Sequence, residues 1–355
     1  MAYTTFRPGQ MWLDDEGKPI QAHAGSLLYH EDTYYWYGED KSHTLPGNGV
    51  RSWGIRLYSS HDLYNWHDEG LILPPNTEDP SDPLHPVRIV DRPHILYNRK
   101  TGKFVMWIKF AGTTEAPRNW DVQYMGIFAA DNIHGPYEKV RCIQPCGMNS
   151  GDFDLVVNPS DQKAYIYFER PHTEIVCADL TEDYLDVTGM YSCHMPYGRP
   201  PQVREAPAFF RKGQDMYLLT SGTSGYLPNP SEMAHARLFH GPWEVLGDPC
   251  PEDAGKTSYD CQFASVFQHP VKKDVYIAVG DRWVPSLSEC PLDKRPDLAL
   301  YFEKFFSGQD MTGMTNPFDL FPAGGADAGY VWLPIVFEDG KPVIHWMDEW
   351  RWEDI

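Results

Sequence analysis

The chain has 355 residues, a formal net charge of −20 and an aromatic content of 17 Phe, 21 Tyr and 12 Trp. These residues allow a large hydrophobic core, which excludes an intrinsically disordered protein. The acidity argues against nucleic acid as a partner, because an acidic surface repels phosphate backbones. No apolar stretch approaches the ~18 residues of a transmembrane helix, so we expect no membrane partner.

The N-terminal segment lacks a basic-then-apolar signal pattern. We therefore expect a cytoplasmic protein, or a secreted one if a leader has been removed. The seven cysteines are an odd number, which argues against a closed disulfide framework. Reduced thiols fit the cytoplasmic location.

Five predicted hairpins follow one another along the chain. Each has an apolar strand before its turn and an aromatic or β-branched strand after it. The strands before the turns cover residues 25–29, 94–97, 154–157, 208–210 and 264–267. The strands after the turns cover residues 33–37, 103–107, 163–167, 215–219 and 274–278. This recurrence indicates a repeat architecture.

Segments that fit a third strand, a turn and a fourth strand follow the hairpins. They cover residues 60–66, 130–137, 178–184 and 236–243, and residues 330–337 and 342–346 in the last repeat. Five repeats of four strands predict an all-β fold, a single five-bladed β-propeller with a central funnel. The blades span roughly 21–75, 91–141, 152–190, 204–248 and 262–350. Helical periodicity is strongest from Leu298 to Phe306.

The funnel of a propeller is rimmed by residues at the starts of the inner strands and at the ends of the second strands. In this chain both positions carry polar residues in every repeat. Those at or before the first strands are Gln21, His23, Asp91, Arg92, Asp152, Asp154, Arg204, Glu205 and Gln262. Those at the ends of the second strands are Glu39, Lys109, Glu169, Ser221, Asp281, Arg282 and Trp283. Carboxylates, amides and aromatic rings together suit a sugar, which needs directional hydrogen bonds and an apolar platform.

Glu205 is the best candidate for a general acid in glycoside hydrolysis. It precedes Ala206-Pro207 and leads into an apolar strand, so partial desolvation should raise its pKa. Nearby carboxylates should raise that pKa further. Arg204 would oppose the shift if it pointed the same way.

Several short motifs occur together along this chain. They are Arg204-Glu-Ala-Pro207, Gly280-Asp-Arg-Trp283, Asp91-Arg-Pro93 with Leu96-Tyr-Asn98, Tyr330-Val-Trp-Leu-Pro334, and Ile20-Gln-Ala-His-Ala-Gly25 followed by Tyr34-Tyr-Trp-Tyr-Gly-Glu39. As a set, over roughly residues 10 to 350, they resemble glycoside hydrolase family 43. More narrowly, they resemble its exo-β-1,3-galactanase, galactofuranosidase and arabinofuranosidase branches. The resemblance implies a five-bladed propeller, exo-action and inversion at the anomeric carbon.

The same resemblance implies roles for three catalytic residues. Glu205 matches the family's general acid. Asp91 matches a carboxylate that orients the substrate or tunes the acid, although the galactanase branch has Glu there. Gln262 matches a Gln that holds the attacking water in the galactanase branch, although Cys261 precedes it where that branch usually has Ser.

The general base is the unsettled part of this assignment. The family's usual first-blade Asp is missing, and Gln21-Ala-His23 stands in that region. A neutral amide is a poor proton acceptor, so we expect Gln262 to position water. The candidates for the base are Asp91, Asp152, Asp154 and Glu169. The predicted substrate-binding residues are Gln21, His23, Glu39, Arg92, Asp152, Asp154, Glu169, Arg204, Asp281, Arg282 and Trp283.

Motifs for metal or cofactor binding are absent from the sequence. It contains no HExxH motif and no CxxC pair, so we assign no metal ligands and expect no required cofactor. Room is left for a structural calcium ion near the propeller axis.

The predicted function is an exo-acting, inverting glycoside hydrolase that acts on an oligosaccharide or polysaccharide. It would release a terminal galactose-type sugar, galactopyranose or galactofuranose, or an arabinofuranose. Two alternatives are a carbohydrate-binding propeller without turnover and a five-bladed phosphorylase. The sequence leaves the ring form, the anomeric configuration, the linkage and the oligomeric state open.

Overall fold

A computed structural model of the chain describes residues 2–322 and 325–355. In these residues twenty strands form five antiparallel sheets of four strands each. The five sheets are the blades of a β-propeller, so the predicted fold is confirmed. The first strands of neighbouring blades contact one another around the axis.

Each blade is a run of strands that are consecutive in the chain. Blade 1 contains β1 (His23–His30), β2 (Thr33–Glu39), β3 (Ile55–Ser60) and β4 (His67–Leu73). Blade 2 contains β5 (Ile89–Asn98), β6 (Lys103–Ala111), β7 (Gln123–Ala130) and β8 (Glu138–Ile143). Blade 3 contains β9 (Phe153–Val157), β10 (Ala164–Arg170), β11 (Glu174–Leu180) and β12 (Val187–His194). Blade 4 contains β13 (Arg204–Lys212), β14 (Asp215–Gly222), β15 (Glu232–Ala236) and β16 (Glu244–Gly247). Blade 5 contains β17 (Gln262–Gln268), β18 (Tyr276–Arg282), β19 (Gly329–Glu338) and β20 (Lys341–Ile344).

The core lies between the blades and is rich in aromatic side chains. Trp36 and Trp332 are fully buried in one interblade cluster, and Trp107 is fully buried in another. The N-terminal segment joins the first cluster, where Phe6 pairs with Trp350 near the C-terminus. Burial of rings of this size makes a large contribution to stability. Trp36 and Trp107 therefore belong to the core and offer no sugar platform.

Four of the five inner strands begin with an irregular register. The pairing shifts after His23 in blade 1 and after Asp91, Glu205 and Phe263 in blades 2, 4 and 5. Such bulges bend a strand and turn its side chains to new directions. The residues in the left-handed region at these positions are Ala24 (φ 48°), Arg92 (φ 50°) and Ala206 (φ 49°).

Blade 5 carries a helical insertion between β18 and β19. It contains α1 (Pro285–Glu289), α2 (Leu298–Ser307) and α3 (Pro317–Leu320), so the helix predicted from Leu298 to Phe306 is present. The Asp297 side chain caps α2 by accepting a hydrogen bond from the Leu300 amide at 2.9 Å. None of the helices in the described part of the chain is long and apolar enough to span a membrane.

Candidate active site

Around the axis, each blade pairs one residue at the start of its inner strand with one at the end of its second strand. The pairs are His23 with Glu39, Asp91 with Lys109, Asp152 with Glu169, Glu205 with Ser221, and Gln262 with Asp281. All ten positions are among those that the sequence placed at the rim of the funnel. The repeat therefore brings them together, although they are spread over more than 250 residues of sequence.

A cavity of about 300 Å³ opens beside the pairs of blades 2, 3 and 4. This volume is at the lower end of the range for small-molecule sites. Seven of the predicted residues line it: Asp91, Arg92, Asp152, Glu169, Glu205, Gln262 and Trp283. The site thus offers mostly polar groups in a small space.

Three carboxyl groups crowd together on one side of this cavity. Oxygen atoms of Asp152, Glu169 and Glu205 lie within 4.8 Å of one another. Burial, followed by the charges of Asp152 and Glu169, raises the pKa of Glu205 well above its usual range. This direction favours the protonated form of Glu205, the form that can donate a proton. Burial and Asp152 also raise the pKa of Glu169, to about 7.

Two buried cations contact the neighbouring carboxylates. Lys109 Nζ donates to Asp91 Oδ2 at 3.0 Å and to Asp152 Oδ1 at 2.6 Å. Arg92 Nε lies 2.8 Å from Asp152 Oδ1. Burial alone would raise the pKa of Asp91, but Lys109 and the other neighbouring groups hold it well below its usual range. The site therefore moves the pKa values of Glu205 and Asp91 in opposite directions, upward for Glu205 and downward for Asp91.

The Gln262 amide has one orientation in this environment. Its Oε1 accepts a hydrogen bond from Arg92 Nη2 at 2.6 Å. Its Nε2 donates to Glu205 Oε1 at 3.0 Å and to Ser221 Oγ at 2.8 Å. Because a guanidinium group can only donate, the oxygen must face Arg92. The same contact disfavours the imidic tautomer of the side chain, in which this oxygen would carry a proton. Gln262 is therefore held as an ordinary amide.

Five predicted substrate-binding residues lie near the axis but do not line the cavity. His23 Nδ1 lies 3.1 Å from Asp281 Oδ1, and Gln21 Nε2 donates to the Ala326 carbonyl at 3.1 Å. Glu39 is fully buried and forms an ion pair with Lys41. Asp154 accepts from the Phe209 amide at 2.7 Å and faces His94. These contacts do not support substrate binding by the five residues, which stays a prediction, and they place Asp154 outside the cavity in which a base would act.

Arg204 and Arg282 also point away from the cavity. Arg204 donates to the Thr220 side chain and carbonyl at 3.0 and 2.9 Å. Arg282 donates to the Tyr259 carbonyl at 2.8 Å and lies over the Trp346 ring. These contacts do not place the two arginines against a substrate in the cavity, so their predicted binding role stays a prediction. Arg204 and Glu205 therefore point in different directions. The cations that mainly oppose the raised pKa of Glu205 are Arg92 and Lys109.

Other lining residues received no role from the sequence. They are Lys109, Trp120, Gln123, His172, Thr223, Gly225, Tyr226 and Phe306. The sequence marks Lys109 only as a strand-end residue; Gln123 begins β7, and the rest come from loops or the insertion. Arg92 Nη1 and Gln123 Oε1 are among the buried polar atoms of the lining that have no hydrogen-bond partner within the described residues. One is a donor and the other an acceptor, which suits a ligand with several hydroxyl groups.

The spacing of the three crowded carboxyl groups would also allow them to be metal ligands. Asp152 already contacts Lys109 and Arg92, and a metal ion would have to compete with these two cations. The charges therefore fit a shared proton better than a metal ion. We therefore assign no metal to these residues.

Comparisons with known proteins agree with this chemistry. The model of glycosyl hydrolases family 43 matches residues 17–282. A family 43 β-1,3-galactosidase solved with galactodeoxynojirimycin is 28% identical, with a TM-score of 0.77 and coverage of 98% of this chain and 100% of that chain. A second family 43 β-1,3-galactosidase is also 28% identical, with a TM-score of 0.78, and this chain spans 63% of it.

The exo-β-1,3-galactanase from Phanerochaete chrysosporium, solved with β-1,3-galactotriose, is 25% identical, with a TM-score of 0.76 and coverage of 98% of this chain and 68% of that chain. No curated protein sequence matches this chain significantly. The family match covers well over half of the chain, and the fold and the paired carboxyl groups fit it. The chain belongs to glycoside hydrolase family 43.

Proposed function

We propose that this chain is an exo-acting, inverting hydrolase that releases terminal galactose from β-1,3-linked galactose chains. The observation that carries the proposal is Glu205, crowded by two other carboxyl groups and hydrogen-bonded to an amide that Arg92 holds in one orientation. Two neighbours named as β-1,3-galactosidases and one named as an exo-β-1,3-galactanase support the choice of sugar. A cavity of about 300 Å³ suits one terminal sugar at its floor.

Glu205 acts as the general acid in this proposal. It gives its proton to the glycosidic oxygen as the bond to the anomeric carbon breaks. Asp152 and Glu169 are too close to Glu205 for a sugar and a water molecule to fit between them. They act on the acid by raising its pKa, and water must attack from another side.

Gln262 positions that water. The free enzyme has a direct hydrogen bond between Gln262 Nε2 and Glu205 Oε1, which the substrate replaces when it enters. The amide oxygen stays fixed by Arg92, and the freed N–H can then orient water or a sugar hydroxyl. Asp91 remains ionised and orients the substrate or tunes the acid through Lys109. As the water oxygen bonds to the anomeric carbon and the glycosidic oxygen leaves with the Glu205 proton, the proton of the water passes to Asp91, the remaining candidate base, and from there to solvent.

Hydrolysis of β-1,3-galactobiose followed by proton NMR tests the proposal. Inversion predicts that α-galactose accumulates first. Glu205→Gln should lower kcat on the disaccharide by about 10²–10⁴-fold. The same variant should keep its activity on β-galactosyl fluoride, because fluoride leaves without a proton. Early β-galactose, or normal activity of Glu205→Gln on the disaccharide, would falsify the assignment.

The same assay separates the two alternatives. A carbohydrate-binding propeller would bind galactobiose without releasing galactose, even at high protein concentration. A phosphorylase would release galactose 1-phosphate only when phosphate is added. Wild-type turnover in phosphate-free buffer excludes both.

A further inference from the structure

The helical insertion of blade 5, residues 283–328, reaches across the face of the propeller that carries the cavity. Its described part contacts blade 1 where Gln21 Nε2 donates to the Ala326 carbonyl at 3.1 Å. It contacts blade 3 where the Phe306 ring lies edge-on to the His172 ring, with centroids 6.0 Å apart. The insertion therefore forms one wall of the cavity mouth.

Helix α2 is held firmly in this position. The Glu303 side chain accepts a hydrogen bond from Gln202 Nε2 at 2.7 Å and pairs with Arg199. The adjacent Phe302 is buried in a cluster with Leu287, and Phe306, one turn further along the same face, packs against that cluster. These contacts position the last turn of α2, where Phe306 lines the cavity.

The cavity is polar at its floor and aromatic at its mouth. The floor holds Glu205 and Gln262, while Phe306 and Trp120 line the wall. Trp120 is 40% exposed, and its ring lies 5.1 Å from Lys109 Nζ. Aromatic faces pack well against the C–H face of a sugar ring. This arrangement separates a hydrogen-bonding subsite from a stacking subsite.

We propose that Phe306 is a specificity-determining residue that packs against the second sugar of the substrate. The inference rests on the proposed function: the terminal galactose occupies the floor beside Glu205. The bond to be cleaved then lies at Glu205, and the sugar that carries the leaving oxygen lies further out, against Phe306. The insertion thereby favours substrates whose second sugar, the one that carries the leaving oxygen, packs against Phe306.

Two substrates and one matched control test this role. Phe306→Ala should lower kcat/KM on β-1,3-galactobiose by about 10-fold, which is typical of one lost apolar contact in a binding pocket. On β-galactosyl fluoride, which has no second sugar, kcat/KM should stay within about 2-fold of wild type. Phe305→Ala is the control, because Phe305 is the neighbouring ring on α2 and is 54% exposed.

Phe306→Leu, which keeps most of the side-chain volume, guards against a folding defect and should show the same substrate-dependent loss. An equal loss on both substrates, or a loss in Phe305→Ala as large as in Phe306→Ala, overturns the inference. Unchanged activity of both Phe306 variants on the disaccharide overturns it as well, while the proposed function stands. Absence of wild-type turnover on either galactose substrate overturns the proposed function, and the inference with it.

Discussion

Two regions near the propeller axis carry polar residues at equivalent strand positions, but the residues line a cavity in one region and bind one another in the other. The charged rim consists of Asp91, Arg92, Lys109, Asp152, Glu169, Glu205 and Gln262 around the cavity. The seam consists of His23, Asp281 and Tyr330 where blades 5 and 1 meet. In the seam, Asp281 faces His23 Nδ1 and accepts from the Ala24 amide at 2.9 Å. The Tyr330 hydroxyl accepts from the Ala22 amide and donates to the Ile20 carbonyl.

The balance of donors and acceptors explains the difference. In the seam, the Asp281 carboxylate and the Tyr330 hydroxyl form hydrogen bonds with the polar groups around them. In the charged rim, four carboxyl groups face only Arg92 and Lys109 as lining cations. Ionising every one of these carboxyl groups in a partly buried space is unfavourable, and the pKa of Glu205 is raised well above its usual range. His23 and Asp281 therefore join blades 1 and 5 to each other. The equivalent position in blade 4 carries the titratable group of Glu205.

The largest effect should come from removing a cation of the charged rim. Lys109→Met leaves Asp91 without its ammonium partner and leaves Asp152 with Arg92 alone. Breaking a buried ion pair from one side costs about 3–5 kcal/mol. Denaturant unfolding should show this loss in the free energy of unfolding. The control is Lys103→Met on the same strand, whose partner Asp131 is 86% exposed, and it should change stability by less than about 1 kcal/mol.

If the two lysine variants unfolded at the same denaturant concentration, the charged rim would not be an electrostatically coupled unit. Lys109→Met should also lose activity, because it changes the ionisation of the groups around Glu205. The seam should respond differently to substitution.

Tyr330→Phe removes one hydroxyl from the seam without changing the ring. The buried Ala22 amide then loses its partner at 2.9 Å, which costs about 1–3 kcal/mol. We expect lower thermal stability and unchanged kcat on galactobiose at a temperature where the variant is folded. Tyr29→Phe is the control, since the Tyr29 hydroxyl contacts Asp32 at the surface. A large fall in kcat for Tyr330→Phe would show that the seam takes part in catalysis.

The sequence predicts the fold well because its signals are local. Each hairpin is defined by a turn and by short runs of strand-forming residues, and the recurrence of the hairpins gives the propeller. The positions at the rim follow from the repeat alone. Glu205, Gln262 and Asp91 could therefore be placed in one site although they come from different blades.

Side-chain direction is the part that the sequence does not reveal directly. Consecutive residues of a strand face opposite sides, so Arg204 turns away where Glu205 faces the cavity. The bulge in blade 2 breaks this alternation and brings Arg92 to the cavity beside Asp91. The sequence does contain a signal for this bulge. Asp91-Arg-Pro93 and Glu205-Ala-Pro207 have the same spacing, which aligns Arg92 with Ala206 at the equivalent position of blade 4. The position of Phe306 has no such signal, because it depends on contacts between distant loops.

A smaller effect on the charged rim should appear in the pH profile. Glu169 raises the pKa of Glu205 through its charge. Glu169→Gln removes that charge and lowers the pKa of the acid. Because the acid must be protonated, activity falls as pH rises through this pKa, and the alkaline limb of kcat/KM on galactobiose should move to lower pH.

The matched variant is Glu182→Gln, an exposed glutamate of the same blade, which should leave the profile unchanged. The profile on β-galactosyl fluoride should lack the dependence on this acid in both proteins. A shift of the alkaline limb to higher pH in Glu169→Gln would contradict the coupling.

The smallest effect should come from Cys261, which precedes Gln262 between the charged rim and the seam. Its thiol donates to the Ser258 carbonyl at 2.9 Å, and burial raises the pKa of this thiol well above its usual range. Strand alternation turns it away from the cavity. Cys261→Ser keeps a donor at this place and should change stability by about 1 kcal/mol or less, with kcat within about 2-fold. Cys261→Leu should cost about 1–3 kcal/mol through overpacking. If Cys261→Ser changed kcat more than it changed stability, the thiol would be setting the position of Gln262, and the charged rim would extend one residue further into blade 5.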